Sequence, residues 1–207
     1  MKILALEFSS SQRGVAVAEG DSVLATVATD NLKTSPLTLI DEALQKAHLD
    51  RATIEVIALG IGPGSYTGIR SAIATAQGWQ LARNVKLPPI SSAEVLAATA
   101  HANGQRGETH LLIDAQRNEY YHATWNLTDK GQAETAPLRI IGMEKAAKLK
   151  SFGPDLPSVP NCRPLCPDAA ILAQLADKRT DFQPGKTIEP IYLRPTEFVK
   201  APPPRNL

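Results

Sequence analysis

Gly60-Ile61-Gly62-Pro63-Gly64-Ser65-Tyr66-Thr67-Gly68-Ile69-Arg70 packs four glycines into nine residues. The apolar run Ile54 to Leu59 precedes it and reads as a strand covered on both faces. The segment from Ile69 to about Arg83 follows and reads as a helix, whose small residues Ala72, Ala74, Ala76 and Gly78 would let another helix approach closely. Strand, glycine-rich turn and helix in that order form an α/β unit. Unpaired N–H groups at the helix start, with the positive end of its dipole, suit an anion or a carbonyl-rich ligand, so Gly62, Gly64 and Ser65 are candidate contacts. No Lys-Ser/Thr pair follows the last glycine, so this is not a Walker A loop. The spacing of Gly60, Gly62, Gly64 and Gly68 is not the dinucleotide fingerprint either. A tight turn with a purely structural role fits the same residues.

Toward the N-terminus, Ile3 to Phe8 and Val15 to Ala18 flank the polar turn Ser9-Ser10-Ser11-Gln12-Arg13-Gly14, which predicts a β-hairpin. Val23 to Ala28 would add a third strand. Ser35-Pro36 then opens a helix to about Ala47, with Ser as N-cap and Pro at the first position. Leu37, Ile40, Leu44 and Ala47 share one face, and Leu39 and Ala43 widen the apolar arc, so this helix faces either its own core alone or a core and a partner. A helix from Ala93 to His101 closes the first half, and the polar stretch His101 to Glu108 is a linker between lobes at 1–105 and 106–207.

The second half reopens like the first. Leu111-Leu112-Ile113-Asp114 is an apolar run ending in an acid, followed by a turn and a return strand from Tyr120 to Leu127. Glu7 and Asp114 hold matching places in two strand–acid–turn–strand units. Tyr120 and Tyr121 should face opposite sides of the return strand. Beyond Gly131 the pattern loosens: a short helix over Met143 to Lys150, a proline-rich loop over Phe152 to Pro167, a helix over Asp168 to Lys178, a short extended piece at Ile191 to Pro195, and a mobile proline-rich tail.

Composition narrows the function classes. Of 207 residues 43% are hydrophobic and 5% aromatic, so the core is aliphatic. Lys plus Arg is 22 against 21 for Asp plus Glu, and a net charge of +1 argues against strong unaided nucleic-acid binding. No secretory leader and no membrane-length apolar stretch is visible, so a cytoplasmic location is expected. Cys162 and Cys166 read as reduced thiols in a loop. The histidines, at 48, 101, 110 and 122, contain no His-x-x-x-His pair, so no metal site is expected. An enzyme reading remains: Glu7, Asp114 and the Ser9–Ser11 turn could serve an ATPase or phosphotransferase, with Glu7, Ser9, Ser10 and Asp114 touching nucleotide or Mg²⁺.

Together, L-A-L-E-F-S-S with G-V-A-V-A, G-P-G-S-Y-T-G-I-R, L-I-D-A-Q-R-N-E-Y-Y and P-I-Y-L-R resemble, in order, the TsaB (YeaZ) family. The resemblance covers most of the chain, and its glycine-rich motif is highly specific. It implies a two-lobed actin/hexokinase/Hsp70-like fold with an RNase H-like core in each lobe, the second lobe shortened. It implies a non-catalytic role beside the transferase TsaD in making N6-threonylcarbamoyladenosine at position 37 of tRNA. The ATPase TsaE would join the assembly, tRNA would be contacted only indirectly, and a homodimer would form without TsaD. No cofactor would be bound tightly, with ATP or ADP allowed at the TsaD interface. The family's interface helices match Pro36 to Ala47 and Ile69 to Arg83, which makes Leu37, Ile40, Leu44, Ile69, Arg70, Ile73, Ala76 and Gln80 candidate partner contacts. The sequence departs from the family pattern in three places. Glu7 stands for the usual Asp, Lys33-Thr34 for His-Ser or His-Thr, and Gln116 for the Arg of Asp-Ala-Arg.

Overall fold

A computed structural model describes residues 1–193. Arg194, Pro195 and the proline-rich tail lie outside the described residues, so those expectations are not addressed. Two five-stranded mixed sheets make two lobes. The first lobe holds β1 (Lys2–Glu7), β2 (Arg13–Glu19), β3 (Ser22–Thr29), β4 (Val56–Gly60) and β5 (Pro89–Ile90), in the order β3-β2-β1-β4-β5. The second holds β6 (Gly107–Asp114), β7 (Glu119–Thr128), β8 (Gly131–Gly142), β9 (Ser151–Gly153) and β10 (Cys162–Pro164), in the order β10-β9-β6-β7-β8. Each lobe opens with an antiparallel meander and adds a parallel strand beside its first strand, β4 on β1 and β9 on β6. The two-lobed α/β architecture expected from the repeated hairpin is the one observed.

In the first lobe, α1 (Pro36–Lys46) and α2 (Tyr66–Ala82) cover one face of the sheet, where Leu4, Leu6, Ile57 and Leu59 meet Ile40, Leu44, Ile69 and Ile73. On the other face lie Ile3, Ala5, Val56 and Ala58, covered by Val95 of α3 (Ser92–Ala102) and by Leu172 and Ala176 of α5 (Ala169–Asp177). The four-residue α4 (Met143–Ala146) covers part of the second sheet, which packs mainly on α3 through Leu111, Ile113, Tyr121 and Trp125. Tyr121 faces that core and Tyr120 the opposite one.

The chain therefore crosses back. The two sheets divide near residue 105, yet α5 packs on the first sheet and Ile188 enters its core. Three stretches differ from expectation. β8 was not expected, because Pro137 interrupts its alternation and its pairing with β7 is irregular. Phe152 to Pro167 is not all loop: three-residue strands β9 and β10 pair in parallel within it. α2 begins at Tyr66 rather than Ile69, because Ser65 caps it, its hydroxyl accepting the Gly68 N–H at 3.3 Å.

Candidate functional site

The C-terminal ends of β1 and β6 meet the glycine-rich turn at a cleft between the lobes of about 430 Å³. Ser9, Ser10, Gly64 and Ser65 line it from the first lobe, Asp114, Gln116 and Asp155 from the second, and Tyr66 and Tyr192 from its lip. The Ser11 hydroxyl donates to the Asp155 carboxylate across the cleft. Of the anion-contact candidates, Ser9, Ser10, Gly64, Ser65 and Asp114 come together here, and Glu7 and Gly62 do not.

Glu7 is fully buried behind the turn. Its carboxylate accepts the Ser9 N–H at 2.9 Å and lies 3.3 Å from the Ser92 hydroxyl. Burial pushes its pKa up, while hydrogen bonds from Ser9 and Ser92 pull it partly back down. The expected pair of facing carboxylates is therefore corrected. The side chain of Glu7 turns inward, and a Cβ on Gly60 would overlap its carboxylate. That makes Gly60 the residue that admits a glutamate at this point of the strand.

Three of the turn's donors are engaged. Ser65 N–H donates to Ser9 C=O at 2.7 Å, Gly62 N–H to the Ser92 hydroxyl at 3.1 Å and Gly68 N–H to Ser65. Gly64, at φ +148°, lies so close to the Ser9 carbonyl that a Cβ there would collide with it. Asp114 turns back on its own loop, taking the Gln116 N–H and side-chain amide at 2.7 Å each. Among the described residues lining the cleft there is no Lys or Arg, while Asp114 and Asp155 are both acidic. With two carboxylates and no cation in this lining, the described residues offer a polyphosphate nothing to balance its charge.

The interface candidates need correction. Ile40, Leu44, Ile69, Ile73 and Ala76 are buried in the first lobe's core, with Ile73 only 5% exposed. Helical periodicity puts them on the face that meets the sheet. The side-chain amide of Gln80 is held by Val85 C=O and Gly185 N–H. Leu37, 51% exposed, and Arg70 do reach the surface. The outward arc of α2 is instead Tyr66, Arg70, Ala74, Gly78 and Leu81, spaced by four, four, four and three residues, with Leu81 90% exposed. Arg70 lies 4.4 Å from the centre of the Tyr66 ring and donates to the Tyr192 hydroxyl at 3.2 Å, and the two tyrosine rings stack at 5.9 Å. The sequence assigned no site role to Tyr66, Asp155 or Tyr192; Tyr66 and Tyr192 carried a signal, as aromatics inside the glycine-rich motif and the Pro-Ile-Tyr-Leu-Arg motif.

Among the described residues no group of three His, Cys, Asp or Glu side chains could hold a metal ion. No described helix is long and apolar enough to cross a membrane.

A family model described as TsaD, tRNA N6-adenosine threonylcarbamoyltransferase, matches residues 4–165. The Haemophilus influenzae tRNA threonylcarbamoyladenosine biosynthesis protein TsaB is 35% identical over 41% of this chain and 36% of that protein. The Escherichia coli protein of the same name is 33% identical over 46% of this chain and 41% of its own length. The Bacillus subtilis one is 29% identical over 58% and 53%. The matched part thus spans about half or less of these curated relatives. The solved structure of YeaZ from Pseudomonas aeruginosa shares the fold, with a TM-score of 0.78 at 24% identity over 93% of this chain and 99% of that one. The expected kinship, carried by the glycine-rich motif and the repeated hairpins, is therefore found, and the chain belongs to the TsaD family, alongside its TsaB/YeaZ members.

Proposed function

We propose that this chain is an accessory subunit in the biosynthesis of N6-threonylcarbamoyladenosine in tRNA, binding a TsaD-type transferase through the outward face of α2 and the neighbouring end of α1. The names of its relatives supply the pathway. The observation that carries the mode of action is Gly78. It is exposed in the interior of a 17-residue helix, and a Cβ there would meet nothing within 4 Å. A helix-interior glycine costs roughly 0.5–1 kcal/mol relative to alanine. Nothing among the described residues requires it. A helix of another protein approaching between Ala74 and Leu81 would require it, and Leu81 and Leu37 would supply buried apolar area.

The acidic lining of the cleft, without a cation among its described residues, supports a role without catalysis by this chain. It also supports the absence of tightly held nucleotide; ATP or ADP would need cations from the transferase. TsaE would join the complex and tRNA would contact the transferase. Co-expression with the TsaD-type subunit of the same genome should yield a stable complex. Leu81→Glu should weaken it at least about tenfold by burying an unpaired charge. Failure of the pair to associate would overturn the reading.

A further inference from the structure

Arginine is rarely buried without a partner, because an unpaired charge away from water is costly. Arg13 is such a residue. It is 6% exposed, its Nε–H is fully buried without an acceptor, and none of the ion pairs among the described residues includes it. Its guanidinium carbon lies 5.9 Å from the centre of the fully buried Phe8 ring. An aromatic ring attracts the charge but accepts none of the in-plane N–H groups. Glu7, across the β1–β2 ladder, cannot answer it either. Along β2, Arg13, Val15 and Val17 point to one face, and the two valines belong to the core under α1 and α2. Glu7 follows Ile3 and Ala5 on the other face, where it meets Ser92.

Arg13 also lies where two helices begin. It pairs with Thr29, the last residue of β3, and Ser35 opens α1 after a short loop. Beyond α1 the chain reaches Val56, which pairs with Ile3 at the opposite end of the sheet. The N-terminal end of α1 is therefore the one nearer Arg13. α2 starts at this end too, with Gly68 against the Phe8 carbonyl. Both helix starts carry positive dipole ends, and neither has an acid in its first turn. The acids of α1 are engaged elsewhere, Asp41 with Arg51 and Glu42 with Lys46. The loop before α1 adds one acid and one base, Asp30 and Lys33, both exposed. We propose that Arg13 is the receptor for a small oxyanion, a carboxylate or a phosphate, taken up from solution between the starts of α1 and α2. Two oxygens in one plane match the guanidinium fork. The small exposed fraction of Arg13 admits one such group and not a bulky ligand. The site is separate from the cleft, whose lining does not include Arg13, and it does not rest on the transferase-binding reading.

Titration of the full chain with inorganic phosphate, and separately with acetate, tests it at constant ionic strength. Thermal melts and the proton–nitrogen NMR signal of the Arg13 Nε–H are the readouts. At least one anion should raise Tm saturably, by about 5–9 °C at fifty times its dissociation constant, and should shift the Arg13 signal. Arg13→Met removes the unpaired charge and keeps an apolar stem. It should fold, melt at or above the wild type without either anion, and lose the saturable rise. The general salting effect of phosphate acts on both proteins and cancels in the comparison. Arg13→Lys keeps the charge without the fork and should bind at least about fivefold more weakly. No saturable rise with either anion, or an equal rise in Arg13→Met, would overturn the proposal. So would a free chain indifferent to both anions whose transferase complex is weakened by Arg13→Met, because the oxyanion would then be an acidic side chain of the partner.

Discussion

Gly78 yields the sharpest quantitative expectation, because the isolated chain and the complex should respond to it in opposite directions. Gly78→Ala adds a methyl group to an exposed helix position where no neighbouring atom lies within 4 Å. No packing penalty arises, and the gain is the helix-propensity difference, about 0.8–1 kcal/mol. For a chain of this size that is a rise in Tm of about 2–4 °C. Gly78→Leu keeps most of the propensity gain but fills the space left between Ala74 and Leu81. If another helix packs there, the larger side chain overfills the contact at about 1–3 kcal/mol, weakening the transferase complex from several-fold to about a hundredfold. Urea denaturation of the isolated chain and calorimetric titration with the TsaD-type partner measure the two effects separately. A lower Tm for Gly78→Ala would show that the site is not open in the free chain. A partner affinity unchanged by Gly78→Leu would remove α2 from the interface even if the stability gain appeared.

Three further expectations follow from buried groups. Gly60→Ala forces a methyl group into the Glu7 carboxylate and should cost about 1–3 kcal/mol in urea melts, with recovery in Gly60→Ala/Glu7→Ala, where the clash is gone. Glu7 has a folded pKa above its unfolded value, so its contribution is most favourable at low pH and is lost as pH rises from about 4.5 through the raised value. Glu7→Gln should accordingly flatten the stability–pH profile on the side above pH 4.5, and an unchanged profile would show that folding does not raise the pKa of this carboxyl. His122 has the opposite sign: burial first, then the nearby His110 and Arg139, lower its pKa from 6.5 to about 4. Its stabilising contribution is present above pH 6.5 and falls away toward pH 4, by up to roughly 3 kcal/mol. His122→Gln should remove that acid-side slope, as read by chemical denaturation at a series of pH values.

The residues that reveal the fold are those whose periodicity has one explanation. Ile3 to Phe8 and Leu111 to Asp114 end in acids followed by polar turns, so the repeated hairpin was legible. Pro36 with Ser35 marked the start of α1 to the residue. The start of α2 was misplaced, because Ser65 was weighed as a ligand contact when its hydroxyl caps the helix. β8 was hidden by Pro137, and β9 and β10 by their shortness and the surrounding prolines. The interface residues failed for a more general reason. An amphipathic pattern tells which residues share a face but not which face meets solvent; Ile73 and Ala76 lie on the face of α2 that meets the sheet, not on its outward one. The C-terminal segment that brings Tyr192 onto Tyr66 depends on contacts 126 residues apart, which no local pattern encodes.

Glycine-rich turns before helices invite a phosphate because they leave N–H groups free, so the fate of those N–H groups is the test of function. Here two of those N–H groups are taken from within the chain: the Ser9 carbonyl receives the Ser65 N–H at 2.7 Å, and the Ser92 hydroxyl receives that of Gly62 at 3.1 Å. A carbonyl oxygen offers the same partial negative charge as a weak anionic ligand, and it is covalently fixed and always present. The close approach made possible by Gly64 and Gly68 thus locks the start of α2 against the Phe8 and Ser9 carbonyls that follow the first strand. With its inner face held that rigidly, the helix can present Tyr66, Arg70, Ala74, Gly78 and Leu81 as one preformed surface, which lowers the ordering cost a partner must meet on binding.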